Sequence, residues 1–120
     1  TGPSMIAISP PAADRTAVIR ARNDALRQRH LGGRVMLTPG IRALGLRGIR
    51  DDLAAVAAFD RFKPGNDPYA EHDFGAVNVS GQRVFFKIDA YDRSLAFASP
   101  DPTDPAVTVR VMTVMLAEEY

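Results

Sequence analysis

The chain has no cysteine, no tryptophan and only two histidines in 120 residues, and its Lys+Arg 15 are set against Asp+Glu 14. Each shortage removes a class of function. Without cysteine there are no disulfides, no thiolate catalysis and no cysteine-based zinc site, and a reducing, cytoplasmic location is the expectation. A formal charge of +1 excludes an acidic surface that imitates DNA, and equally a strongly basic domain held to phosphates. No apolar run approaches the roughly 20 residues of a membrane span, so no membrane partner is expected. Two histidines cannot build a histidine-rich centre, and neither a metal nor a cofactor is expected.

What is present suits one α+β domain with a single core, since 46% of the residues are hydrophobic. Thr1-Gly2-Pro3-Ser4 before Met5 reads as a tag remnant, nothing N-terminal reads as a signal peptide, and residues 1–13 are taken as remnant and flexible lead-in before a globular part at 14–120. Asp14 is placed to cap a helix over Arg15–Leu31, where Val18, Ile19, Ala21, Ala25 and Leu26 recur at helical spacing and Gly32-Gly33 ends it. Arg34–Thr38 predicts a strand and Pro39-Gly40 a turn, and Ile49, Leu53, Val56 and Phe59 mark a helix from about Arg50 to Asp60.

Gly75–Ser80 and Gln82–Tyr91 predict a hairpin through Ser80-Gly81, with Val84, Phe86 and Ile88 on one face. The other face carries Arg83, Phe85, Lys87, Asp89 and Tyr91. Asp104 as N-cap and Pro105 in the first turn suggest a last helix over Ala106–Glu119, apolar nearly all round and therefore buried. The expected order is α-β-α-β-β-α, with a small, mostly antiparallel sheet packed against the helices.

The run Asn66–Gly75 concentrates the polar chemistry, at the point where a Pro/Gly-rich loop gives way to a strand. Asn66, Asp67, Glu71, His72 and Asp73 are the candidate ligand-binding residues. The hairpin register places His72 opposite Asp89 and beside Lys87, the arrangement an acid–base centre requires, so these three are the catalytic candidates. Glu71, His72 and Asp73 cannot point the same way in a strand, which argues against a metal site made from the three. Turn chemistry explains Asn66 and Asp67 without a function. Asn23 interrupts the apolar stripe of the first helix and is expected to tie it to the Asn66–Asp73 loop. Arg20, Arg22, Arg27, Arg29 and Arg34 give that helix a basic side, read as a solvated face that leaves nucleic acid open as a partner. Arg34 or Arg110 is expected to neutralise Glu118 and Glu119, and Ser99–Pro105 is read as a cap rather than a hydrolase nucleophile.

Four segments carry a family resemblance: Arg22–Arg27, Gly33–Gly40, Asn66–Gly75, and Ser99–Asp104 with Arg110–Tyr120. Together, over about Ile19–Tyr120, they resemble a bacterial domain-of-unknown-function family, number 3768. Ala70 stands where that pattern is expected to hold a glycine. The resemblance implies an alphaproteobacterial, mobile-element or plasmid setting, and no reaction. It therefore suggests a small non-enzymatic binding protein with a macromolecular partner, protein ahead of nucleic acid, whose concrete form is inhibition of a host defence system such as restriction or CRISPR interference. The alternative is a small acid–base hydrolase or ligand-binding domain with its pocket around His72 and Asp89.

Overall fold

Residues 12–120 are described by the structure, a computed structural model; the expected tag remnant, and the lead-in through Pro11, lie outside them. Helix α1 spans Ala12–Arg29, so Asp14 falls in its first turn rather than at its cap. There its charge still suits the positive end of the helix dipole. The helix stops at Arg29 because His30 adopts φ 56°, a left-handed closure expected instead at Gly32-Gly33. His30 N–H then reaches Leu26 O at 2.9 Å and Leu31 N–H reaches Ala25 O at 3.3 Å.

Strand β1 follows at Arg34–Leu37. Pro39 opens a short helix α2, Pro39–Arg42, in place of a plain turn. Helix α3 runs Gly45–Ala58 and so begins before the expected Arg50. The hairpin forms as predicted, with β2 at Phe74–Val79 and β3 at Gln82–Tyr91. Ser80 and Gly81 both take positive φ, 50° and 80°, which is the two-residue turn whose twist matches the strands.

The expected C-terminal helix is a strand. Val109–Leu116 forms β4, flanked by 3₁₀ turns at Pro105–Val107 and Ala117–Glu119. Asp104 does cap, accepting from Ala106 N–H at 2.9 Å, but the turn it caps ends at Val107. Thr108, Val109, Val111, Thr113 and Val114 are β-branched and favour extended backbone. An apolar run of that length has no periodicity that separates a buried strand from a buried helix.

Strand β4 lies inside the sheet, whose order is β1-β4-β3-β2. It pairs in parallel with β1 and antiparallel with β3, which pairs antiparallel with β2. One sheet face holds the core: Leu26 of α1, Ile41 of α2 and Val56 of α3 cluster with Val84, Phe86, Ile88, Met112 and Val114. Met115 is buried too, but on the opposite face, where it pairs with Phe85, and Val107 is only half-buried. Among the described residues every helix contributes to the first face. No helix of the described chain is long and apolar enough to cross a membrane.

Candidate functional site

Arg20, Asn23, Asp24 and Arg27 recur at i, i+3, i+4 and i+7, which places them on one side of α1. That side grips the loop between α3 and β2. Arg20 Nε donates to Ala70 O at 2.7 Å, and Asn23 Nδ2 donates to Glu71 O at 2.9 Å. Asn23 Oδ1 accepts from Arg110 Nε of β4 at 2.7 Å, so this buried amide ties helix, loop and sheet together, as its position suggested. Arg27 is 2% exposed and donates Nη1 to the carbonyls of Val56, Ala57 and Phe59 at 3.0, 3.1 and 2.7 Å. A cation there answers the exposed carbonyls and negative dipole at the end of α3.

His72 sits at the centre of this arrangement, and its partner is not Asp89. The strand pairing ends at Phe74 opposite Lys87, with one further bond from Ile88 N–H to Asp73 O at 2.8 Å, and His72, at φ 55°, leaves the strand direction. Its Nδ1 lies 2.9 Å from Asp24 Oδ1 and 3.1 Å from Oδ2. A carboxylate only accepts, so that contact puts the proton on Nδ1. The His72 backbone N–H donates to Asp67 Oδ1 at 3.1 Å, and Nε2 faces Asp67 Oδ2 at 3.7 Å. The imidazole stacks on Phe62 at 3.7 Å and 6°, while the Arg27 guanidinium, bonded to Asp24 at 2.8 Å, stands 5.2 Å from the same ring. Asp24 and Phe62 were missed as partners of His72, and Arg27 as the cation that braces Asp24. The polar stripe at 20, 23, 24 and 27 was the available signal.

The remaining candidates divide. Asn66 closes its own turn, accepting from Lys63 N–H at 2.8 Å and donating to Arg61 O at 3.1 Å. Lys87 and Asp89 pair with each other at 3.4 Å on the opposite sheet face, away from the His72–Asp24 contact. Burial pushes the Glu71 carboxyl up from its ordinary range, with Asp73 and Asp67 adding to the shift and Arg110 opposing it. Burial also pushes Asp73 up, against its own backbone hydrogen bond and with help from Asp67 and Asp89. These acids crowd one another, yet no group of histidine and acidic side chains among the described residues has the arrangement of a metal site.

The basic side of α1 is mostly internal bracing rather than a solvated face. Arg15 pairs with Asp101 at 2.9 Å, Arg22 donates to Thr103 O at 2.9 Å, and Arg20 and Arg27 are bonded as above. Arg29 and Arg34 stay exposed. Neither Arg34 nor Arg110 meets Glu119. That carboxylate accepts from Thr38 Oγ1 at 2.6 Å and from the N–H groups of Gly40 and Leu116, each at 2.9 Å, which lowers its pKa. The Ser99–Pro105 segment is a cap: Ser99 Oγ contacts Thr108 Oγ1 at 2.7 Å and accepts from Asp101 N–H at 3.1 Å.

Open surface lies elsewhere. On the sheet face away from the helices, Phe74, Phe85 and Tyr120 form an aromatic group with ring centroids 5.3, 5.6 and 6.0 Å apart. Met36 is 53% and Tyr120 75% exposed on that side. A cleft of about 370 Å³ runs from it around the β2 edge, bordered by Arg61, Lys63, Phe74, Arg83 and Phe85. A second cleft, of about 410 Å³, opens between α1 and the chain before β4.

The model of a family of proteins of unknown function, DUF3768, matches residues 37–119. No curated protein and no solved structure matches the chain.

Proposed function

This chain belongs to the DUF3768 family of proteins of unknown function, and from that premise we propose that it is a non-enzymatic binding protein that meets a macromolecular partner, a protein, through the open sheet face. One observation supports this above the rest. The polar residues that an acid–base site would need are bonded to one another and to backbone, His72 to Asp24 and Asp67, and Asn66 to Lys63 and Arg61. Tyr120 and Met36 meanwhile stand exposed on the sheet beside the half-buried Phe74 and Phe85, with Lys87, Asp89 and Arg83 around them. An apolar centre with a rim of both charges suits a protein partner, and exposed apolar patches mark such contacts. In a mobile-element setting, inhibition of a host defence system is the form that such binding would take.

One observation favours the alternative, a small acid–base hydrolase: Asp24 orients the His72 ring as a general base would require, next to the raised carboxyls of Glu71 and Asp73. Affinity capture from the native host separates the readings. A partner held by wild type and by His72→Ala, but lost with Phe85→Asp, supports the binding protein. A partner retained by Phe85→Asp, or lost only with His72→Ala in a folded variant, overturns the assignment to the sheet face.

A further inference from the structure

The second cleft has a chemistry of its own. Its walls are Val18, Ala21 and Ala25 of α1, with Leu31 and Pro105, and two arginines, Arg22 and Arg110, line it as well. Arg110 is 3% exposed. Its Nε donates to Asn23 Oδ1 and its Nη2 to Pro102 O at 2.7 Å, which leaves Nη1 without a partner among the described residues. Arg22 is fixed through Nε to Thr103 O at 2.9 Å, and neither of its Nη atoms has a partner among the described residues.

Both guanidiniums are therefore held by neutral acceptors, and neither forms an ion pair with a carboxylate. They lie close enough that Arg22 lowers the Arg110 pKa, after the larger effect of burial. Glu71 opposes that shift but makes no ion pair with Arg110. A buried cation with no carboxylate in contact is costly, and planar guanidinium edges match carboxylate and phosphate oxygens. The volume of about 410 Å³ falls in the size range of small-molecule sites.

We propose that this cleft binds a small anionic amphiphile, its carboxylate or phosphate head on Arg22 and Arg110 and its apolar body along Val18, Ala21, Ala25 and Leu31. The site is independent of the sheet face. It lies across the α1–β4 junction that Asn23 holds, so an occupant would bear on both elements.

Calorimetric titration of the full chain with octanoate, octyl phosphate and octanol tests it. Saturable binding of either anion, with octanol weaker by at least about tenfold, supports the charged head, and a preference between the anions names it. Arg22→Gln is expected to weaken the anions by at least about tenfold. Ala21→Trp, at an exposed helix position where the fold tolerates bulk, is expected to block the cleft with the melting temperature unchanged. Octanol binding as tightly as octanoate overturns the proposal, as does absence of saturable binding to all three, or anion binding that is undiminished in Ala21→Trp.

Discussion

Asn23→Ala isolates the joint between helix, loop and sheet. The substitution removes the acceptor of Arg110 Nε and the donor to Glu71 O, at 2.7 and 2.9 Å, and Asn23 itself is 3% exposed. A buried charged donor left without its acceptor costs about 1.5–3 kcal/mol, and the half-buried carbonyl a further ~1–2 kcal/mol. Alanine is the better helix former and returns roughly 0.5 kcal/mol. The net loss is about 2–4 kcal/mol, a fall in melting temperature of roughly 6–20 °C for a domain of this size. Urea unfolding of wild type, Asn23→Ala, Arg110→Met and the double variant measures it, and the cycle should return a coupling of at least about 1 kcal/mol between Asn23 and Arg110. A single-variant loss below about 1 kcal/mol would mean that water replaces the amide without cost, and that the loop is held by Arg20 and His72 instead.

Two further outcomes follow from individual environments. A Cβ on Gly75 would stand 2.6 Å from Phe86 Cζ and 2.8 Å from Phe59 Cε1, so Gly75→Ala is expected to lose about 1–3 kcal/mol in chemical denaturation. An unchanged midpoint would show that the rings give way freely. Glu119 is held below its ordinary pKa by Thr38, Leu116 and Gly40, so its contribution is present above the unfolded pKa and lost as pH falls through the folded one. Melting curves of wild type and Glu119→Gln should therefore differ near neutral pH and converge in acid; a constant gap across the range would refute the assignment.

Much of the fold was legible because it rests on local chemistry. The Ser80-Gly81 turn sets the register of β2 and β3, and period-2 alternation in Gln82–Tyr91 alone separates Val84, Phe86 and Ile88 from Phe85, Lys87 and Asp89. Asn23 was readable as a bridging amide because a polar residue on an apolar stripe needs partners. Asp104 and Pro105 were readable as a cap for the same local reasons. Ala70 stands where glycine was expected, and it does carry the left-handed φ, 56°, that glycine adopts without strain.

The larger failures share a cause, which is distance along the chain. Whether Val109–Leu116 coils or extends depends on β1 and β3 standing on either side of it, and those neighbours supply the backbone partners that the helix would have made internally. His72 takes Asp24 rather than Asp89 because positive φ at Ala70 and His72 turns the chain out of the ladder and onto a helix 48 residues away. Arg20, Arg22 and Arg27 look like a solvated basic face in one dimension. In three they are bonded to carbonyls of segments that only the packed sheet brings beside α1. Turns, caps and faces follow from neighbours within a few residues, whereas strand order, the partner of a histidine and the use of a buried charge follow from what the closed chain places against them.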